Sequence, residues 1–200
     1  MVEGEDLVDA GLAAGLEPVD LLVAGEDVEP RLLAEVSVLA HPPRRIAVFR
    51  RDDLPALDTL SAPGAGVALW HVGDPGNVGA IVRAADGLGP AFVALSTGCA
   101  DPTGPKALRA SMGSLFRVPL GRFEDAPGHR VALVAHGGEP LHALELDGPV
   151  TFVLGAEREG LPESVAAACE RRVTIPLEPG AESLNVALSA AVALYELRAR

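Results

Sequence analysis

The stretch Thr151-Phe-Val-Leu-Gly155-Ala-Glu157-Arg-Glu-Gly160-Leu-Pro162 carries the pattern that decides the fold of this chain. A short apolar run, typical of a strand buried on both faces, ends at a glycine, and a proline then opens a helix. Gly155 lets a ligand approach the backbone closely, and Glu157 follows at the carboxyl end of the strand. On these residues alone, the turn is either a ligand site or a helix start with solvated carboxylates.

The same order of apolar strand, polar or glycine-rich turn and helix recurs from Val67 onward. Continuous apolar strands that alternate with helices indicate a mostly parallel sheet with helices on both faces, so the predicted fold class is α/β. The predicted strands are Val67–Val72, Ala91–Leu95, Val131–Ala135, Thr151–Leu154 and Arg172–Ile175. The predicted helices are Asn77–Leu88, Pro105–Met112, Pro162–Ala168 and Ser183–Arg198.

Residues 1–55 predict a small, separate α/β unit, and residues 56–65 predict a linker because prolines and glycines punctuate them. In the small unit, the pattern favours helices at Asp6–Ala14 and Pro30–Leu39 and strands at Asp20–Val23 and Ile46–Phe49. Four arginines flank the last of these strands and form the densest positive cluster of the chain. They either contact phosphates or protect a solvated strand edge against aggregation. The cluster consists of Arg44, Arg45, Arg50 and Arg51.

Composition limits the class of protein. Hydrophobic residues make up 48% of the chain and aromatic residues only 4%, so the core must be built from Ala, Val and Leu. Cys99 and Cys169 form no CxxC pair, and no apolar run is long enough to cross a bilayer, so we expect a soluble cytoplasmic protein with reduced thiols. The net charge of −12 argues against a broadly basic nucleic-acid-binding surface, but a local basic site remains compatible with it.

Several common functional motifs are absent. The sequence has no Walker A loop, and Gly73, Gly76 and Gly79 do not follow the dinucleotide-binding spacing. The His136-Gly-Gly turn resembles a hydrolase oxyanion turn, but no serine stands in a nucleophile elbow. The spacing of the histidines near Glu139 matches no common zinc pattern, so we expect no metal.

Two further turns carry polar residues that need partners. Asn77 is placed to cap a helix, and Arg83 falls among apolar residues of that helix, where a half-buried guanidinium requires a protein carboxylate or a ligand phosphate. Ser183 and Asn185 lie at the predicted N-terminus of an Ala-rich helix, whose free N–H groups suit an anion. Because that helix is apolar almost all round, one sheet face cannot bury it and a partner subunit is expected.

Together these turns resemble the three signature motifs of the SpoU-type RNA ribose methyltransferases, within the SPOUT superfamily. The motifs are Asn77-x-Gly79-x-x-x-Arg83-x-Ala85, Leu154-Gly155-x-Glu157-x-x-Gly160, and Ile175-Pro176 with Ser183-Leu184-Asn185. The resemblance covers about residues 67–198 and includes a similar connecting segment, Lys106–Phe116. Residues 1–55 look like the ribosomal-protein-like substrate domain of the family, truncated by the loss of its first strand and helix.

The resemblance implies a C-terminal trefoil knot, S-adenosylmethionine as cofactor, a homodimer whose subunits both contribute to the site, and methylation of a ribose 2′-hydroxyl in ribosomal or transfer RNA. The implied catalytic residues are Asn77, Arg83, Glu157, Ser183 and Asn185. The implied cofactor-binding residues are Val134, Ala135, His136, Gly137, Leu154, Gly155, Ile175, Pro176, Leu184 and Asn185. The candidate RNA-binding residues are Arg44, Arg45, Arg50, Arg51 and Arg109. The alternatives are an inactive RNA-binding or cofactor-binding protein of the same fold and a generic α/β protein that acts on a small nucleotide.

Overall fold

The computed structural model describes residues 1–58 and 61–199, which form two sheets and the helices around them. The strands are β1 Val2–Glu3, β2 Asp20–Val23, β3 Arg45–Val48, β4 Ala65–Leu69, β5 Phe92–Leu95, β6 Leu120–Arg122, β7 His129–Leu133, β8 Glu139–Pro140, β9 Val150–Leu154 and β10 Arg171–Thr174. The α-helices are α1 Glu5–Ala13, α2 Pro30–Val36, α3 Pro75–Leu88, α4 Pro105–Ser111, α5 Glu163–Ala167 and α6 Val186–Arg198.

The larger sheet has the strand order β6-β5-β4-β9-β7-β10-β8, and every neighbouring pair in it is parallel. One face packs against α3 and α6, whereas the other face is covered by α5 and a short 3-10 turn that carries Phe123. This arrangement confirms the predicted α/β class with a mostly parallel sheet. Because all strands run the same way, the turns after them meet at one edge of the sheet. The trefoil knot stays a prediction.

The first fifty residues form a three-stranded antiparallel sheet in the order β1-β3-β2, with α1 and α2 beside it. Its apolar side is continuous with the core of the larger unit, because Val8 and Ala47 belong to the same buried cluster as α3 and β4. The Phe49 and Phe116 rings meet edge to face across this junction, with centroids 5.7 Å apart. The small unit is therefore packed onto the larger unit through a shared apolar core.

Two helix starts that position the site differ from the prediction. Helix α3 begins with Pro75, and its N-cap is Asp74, whose Oδ1 accepts a hydrogen bond from the Asn77 backbone N–H at 3.0 Å. Asn77 is therefore not the cap but lies within the first turn of α3. Helix α6 begins at Val186 rather than at Ser183, because Asn185 caps it. Its side chain is the first that can accept from the free N–H groups of the helix.

Both edges of the larger sheet and one edge of the small sheet are formed by strands too short to show a period. Strands β1, β6 and β8 were not predicted, since two or three residues carry no alternation that differs from a loop. Within the predicted linker, Leu57 donates its backbone N–H to Leu120 of β6 at 2.7 Å, so residues 55–57 lie along the sheet edge. Residues 59 and 60 of that linker lie outside the described residues.

Candidate active site

A cavity of about 380 Å³ lies where the chain leaves β7, β9 and β10. Such a volume is within the usual range for sites that bind small molecules. Seven of the predicted cofactor-binding residues line it, namely Val134, Ala135, His136, Leu154, Gly155, Ile175 and Leu184. Gly137, Pro176 and Asn185 are adjacent in sequence to lining residues but are not part of the lining.

The lining also includes side chains that were not predicted to bind the cofactor. Leu177, Glu182 and Ser183 come from the irregular segment between β10 and α6, and Ser189 comes from the first turn of α6. Ser183 was predicted as a catalytic residue but not as part of this wall. An irregular segment has no period, so no spacing signal marks which of its side chains face a cavity.

The turn after β9 explains the two glycines of the second motif. A Cβ on Gly155 would lie 2.1 Å from the carbonyl carbon of Gly160, so no other residue fits there without moving the backbone. Gly160 closes the turn by donating its N–H to the Ala156 carbonyl at 2.9 Å, and it does so at φ 66, in the left-handed region that favours glycine. The turn thereby holds Glu157 and its neighbours along the cavity wall.

Three of the predicted catalytic residues are joined in a row that we call the amide chain: Asn185, Asn77 and Glu157. Asn185 Oδ1 accepts from the Ala187 backbone N–H at 2.9 Å, which leaves its Nδ2 free to donate to Asn77 Oδ1 at 3.0 Å. Asn77 Nδ2 then donates to Glu157 Oε1 at 2.8 Å. Because each amide has one donor end and one acceptor end, the cap at α6 sets the orientation of every group up to the carboxylate.

A second set of contacts holds the other end of Asn77. Lys106 of α4 donates its ammonium to Asp74 Oδ2 at 2.7 Å, while Asp74 Oδ1 holds the Asn77 backbone. The hydrogen bond from Lys106 keeps the pKa of the Asp74 carboxyl below its usual value, so the cap stays ionised. The start of α3 is therefore tied to α4 as well as to the amide chain.

The family model of the SpoU rRNA Methylase family matches residues 65–195, which span the cavity, the amide chain and the larger sheet. The chain belongs to this family. A 23S rRNA (uridine(2479)-2′-O)-methyltransferase of Streptomyces viridochromogenes is 32% identical over an alignment that covers 84% of this chain and 64% of that protein. An uncharacterized tRNA/rRNA methyltransferase of Synechocystis, slr1673, is 32% identical over 88% of this chain and 66% of its own length. The chain spans between about half and two thirds of the length of the curated relatives that it matches.

Solved structures of methyltransferases share the architecture over nearly the whole chain. The SpoU methyltransferase AviRb of Streptomyces viridochromogenes, in complex with the cofactor AdoMet, superposes with a TM-score of 0.81 at 26% identity, covering 99% of this chain and 88% of that one. An rRNA methyltransferase of Sinorhizobium meliloti superposes with a TM-score of 0.86 at 27% identity, covering 99% and 86%.

Arg83, the arginine of the first SpoU motif, does not join the amide chain within its own protomer. It is exposed on α3, so the prediction of a half-buried guanidinium is wrong. The buried face of α3 is formed by Val78, Ile81, Val82 and Ala85, and Arg83 lies outside that stripe. Among residues 1–58 and 61–199, Arg83 forms no ion pair or side-chain hydrogen bond. Its charge is thus available to an anion that comes from elsewhere.

Three of the candidate RNA-binding arginines already have carboxylate partners. Arg44 pairs with Glu26 at 3.4 Å, Arg45 with Asp9, and Arg51 with Asp101 at 2.8 Å. Arg50 and Arg109 are exposed and make no ion pair in the described part of the chain.

The described residues contain no group of three His, Cys, Asp or Glu side chains that could hold a metal ion. Near His136, Glu139 pairs with Arg171 at 2.6 Å. None of the described helices is long and apolar enough to cross a membrane.

Proposed function

We propose that this SpoU-family protein is an S-adenosylmethionine-dependent methyltransferase that acts on a ribose 2′-hydroxyl of ribosomal or transfer RNA. The observation that carries the proposal is the amide chain, because it fixes a carboxylate, two amides and a helix N-terminus beside a cofactor-sized cavity. The names of its relatives support the same reaction class.

The residues of the cavity fit S-adenosylmethionine. Apolar side chains such as Leu154 and Ile175 offer a surface for the adenine, and the carboxylates of Glu157, Glu159 and Glu182 suit a cationic ligand. When bound, the cofactor supplies an electrophilic methyl group on a positively charged sulfur. The residues that would hold it are Val134, Ala135, His136, Gly137, Leu154, Gly155, Ile175, Pro176, Leu184 and Asn185.

The ribose hydroxyl must lose its proton as it attacks, and no histidine or cysteine of the three motifs is available as a base. Arg83 cannot take that role, because a guanidinium stays protonated. We assign to Arg83 the binding of the target phosphate and the electrostatic stabilisation of the developing alkoxide, with the proton leaving through that phosphate. Glu157, Asn77, Ser183 and Asn185 position the ribose and the cofactor.

We infer that the active unit is a homodimer, with the partner subunit's α3 completing the site. On α6, Leu188, Val192 and Tyr195 are spaced as one stripe and are 58%, 39% and 62% exposed. Helix α6 packs against α3, so a second copy seated on this stripe lies close to Arg83. Arg83 makes no contact with the amide chain of its own protomer. We therefore assign the arginine of each active site to the α3 helix of the other subunit.

The N-terminal unit, residues 1–55, is proposed to contact RNA outside the catalytic cavity, and residues 56–65 connect it to the methyltransferase domain, residues 66–200. Arg50 and Arg109 are the best placed of the candidate RNA-binding arginines, since the described structure gives them no carboxylate partner, whereas Arg44, Arg45 and Arg51 would have to exchange theirs. A protein with this substrate is expected to act in the cytoplasm.

The experiment is the incorporation of tritiated methyl groups from S-adenosylmethionine into total bacterial RNA, followed by mass-spectrometric mapping of 2′-O-methyl nucleotides. Arg83→Lys keeps the charge but loses the planar fork, so we expect at least a tenfold lower rate. Arg122→Lys, at an exposed arginine of β6 that belongs to neither the cavity nor the candidate RNA-binding residues, is the matched control.

Full activity of Arg83→Lys refutes the assigned role of Arg83. Binding of S-adenosylmethionine and RNA without any incorporation by the wild-type protein refutes the enzyme and supports an inactive binding protein of the same fold.

A further inference from the structure

The carboxyl end of β4 carries an aromatic pair, Trp70 and His71, that belongs to none of the three motifs. Trp70 is the only tryptophan of a chain in which aromatic residues are 4% of the total. The indole is half-buried and the imidazole is exposed. Most of the other aromatic side chains fill the core, so this pair is unusual in its position.

The two rings form a rigid stack. Their centroids are 4.7 Å apart and their planes differ by 3°, and Phe123 supports the indole edge to face at 5.2 Å. A Cβ on Gly98 would lie 3.2 Å from the Cδ2 atom of the imidazole, so a side chain at this position would crowd the ring. Gly98 has φ 97, in the left-handed region that favours glycine.

The backbone at His71 is held in an uncommon conformation. Its φ of 54 lies in the left-handed region, where a residue other than glycine costs on the order of 1 kcal/mol. Its N–H donates to Ser96 Oγ at 3.0 Å, which fixes it to the turn after β5. The imidazole is thus exposed and stacked on the indole at a position where glycine would relieve the strain.

The pair lies beside the proposed active site. The Trp70 backbone N–H donates to the carbonyl of Leu154 at 2.8 Å, and Leu154 is the last residue of β9 before the Gly155 turn. Asn77 follows six residues after His71, in the first turn of α3. The stack and the amide chain are therefore on the same edge of the sheet, on neighbouring strands.

We propose that Trp70 and His71 form a subsite for a single-stranded nucleotide of the RNA substrate, next to the ribose that is methylated. The proposal rests on the proposed function. Proteins recognise unpaired RNA through aromatic surfaces on which bases stack and through hydrogen bonds to base edges. Here the stacked rings of the half-buried indole and the exposed imidazole offer an aromatic surface, and the imidazole also offers ring nitrogens. The subsite selects an unpaired nucleotide rather than a duplex.

Because Trp70 is the only tryptophan, the intrinsic fluorescence of the wild-type protein reports on this site directly. We expect polyuridylate and total bacterial ribosomal RNA to change the tryptophan emission. Double-stranded RNA of matched length is expected to leave it unchanged. If filter binding shows that polyuridylate is retained while the emission stays constant, the subsite is refuted. This measurement does not depend on catalysis.

The variant His71→Gly removes the ring and relaxes the positive φ, so the fold is not at risk. We expect KM for RNA to rise roughly tenfold, with kcat and the affinity for S-adenosylmethionine unchanged, as for a residue that contributes uniform binding. His142→Gly, at an exposed histidine of the larger unit outside the cavity lining, is the matched control.

An unchanged KM in His71→Gly refutes the subsite, and so does a loss of kcat together with cofactor affinity, which would mark a structural role. If the wild-type protein transfers no methyl group to any RNA, the proposed function fails, and the fluorescence measurement still decides whether the pair binds RNA.

Discussion

Asn185 serves two roles through different atoms, and Asn185→Asp separates them. Its Oδ1 caps α6 by accepting from the Ala187 and Leu188 N–H groups at 2.9 and 3.4 Å, whereas its Nδ2 donates to Asn77. Aspartate keeps an oxygen that can accept both cap hydrogen bonds but has no side-chain donor. The variant should therefore keep the helix and break the amide chain.

The magnitudes follow from the contacts. Replacing a capping Asn with Ala costs about 1 kcal/mol, whereas a carboxylate at a helix N-terminus gains about 0.3–1 kcal/mol from the dipole. Against this gain, the new carboxylate faces Asn77 Oδ1 across the former 3.0 Å hydrogen bond. Turning the Asn77 amide does not resolve the conflict, because its oxygen then faces Glu157 across 2.8 Å. One net hydrogen bond of about 1 kcal/mol is lost in either orientation.

We therefore expect the free energy of unfolding of Asn185→Asp to stay within about 1 kcal/mol of wild type, while Asn185→Ala loses about 1–2 kcal/mol. Methyl transfer should fall at least tenfold in both variants, which corresponds to about 1.4 kcal/mol of lost transition-state stabilisation. Urea unfolding and tritiated-methyl transfer to total RNA measure the two quantities. Ala181→Asp, which adds the same charge in the preceding exposed segment, is the control.

Two results would contradict this reasoning. If Asn185→Asp transfers methyl groups at the wild-type rate, the orientation of the amide chain does not matter for catalysis. If Asn185→Asp is destabilised as much as Asn185→Ala, the side chain does not cap α6 as the structure indicates.

Three further predictions concern the cavity, the α6 stripe and a pH-dependent contact. Gly155→Ala places a Cβ 2.1 Å from Gly160, so calorimetry should show at least a tenfold loss of S-adenosylmethionine affinity, whereas Gly87→Ala, where a Cβ meets nothing within 4 Å, should bind normally. Leu188→Glu puts a charge into the α6 stripe that we assign to the homodimer interface, so light scattering should show a monomer and methyl transfer should be low. The control Leu32→Glu, at an exposed leucine of the N-terminal unit, should remain dimeric. The hydrogen bond from His129 to Glu170, 2.7 Å long, raises the pKa of the histidine above 6.5. The contribution of this hydrogen bond to stability is thus fully present below pH 6.5 and is lost as the pH rises through the raised pKa. As the pH is raised from 6.5 through that pKa, the melting temperature of His129→Gln should therefore fall less than that of the wild type or of the control His41→Gln.

The sequence pattern predicted the elements of the larger sheet well where the apolar runs were long. Strand β9 and helix α3 differ from the predicted ranges by one or two residues, because a buried strand and an amphipathic helix carry their own period. The exposure of Arg83 could also have been predicted. Val78, Ile81, Val82 and Ala85 follow the spacing of one buried helix face, and position 83 falls outside it. Its apolar sequence neighbours gave the opposite impression, since neighbours in a helix point to different sides.

The amide chain could not be predicted from spacing, because it depends on the order of strands in space. Asn77 and Glu157 are 80 residues apart, and Asn77 and Asn185 are 108 apart. They meet because β4 lies beside β9, although β5 to β8 intervene in the sequence, and because α6 returns to pack on α3. No local sequence preference predicts that these strands and helices are neighbours. Once these residues are neighbours, however, one local contact determines the rest. Because the Asn185 oxygen caps α6, the Asn185 NH₂ group must point to the Asn77 oxygen. The Asn77 NH₂ group must then point to Glu157.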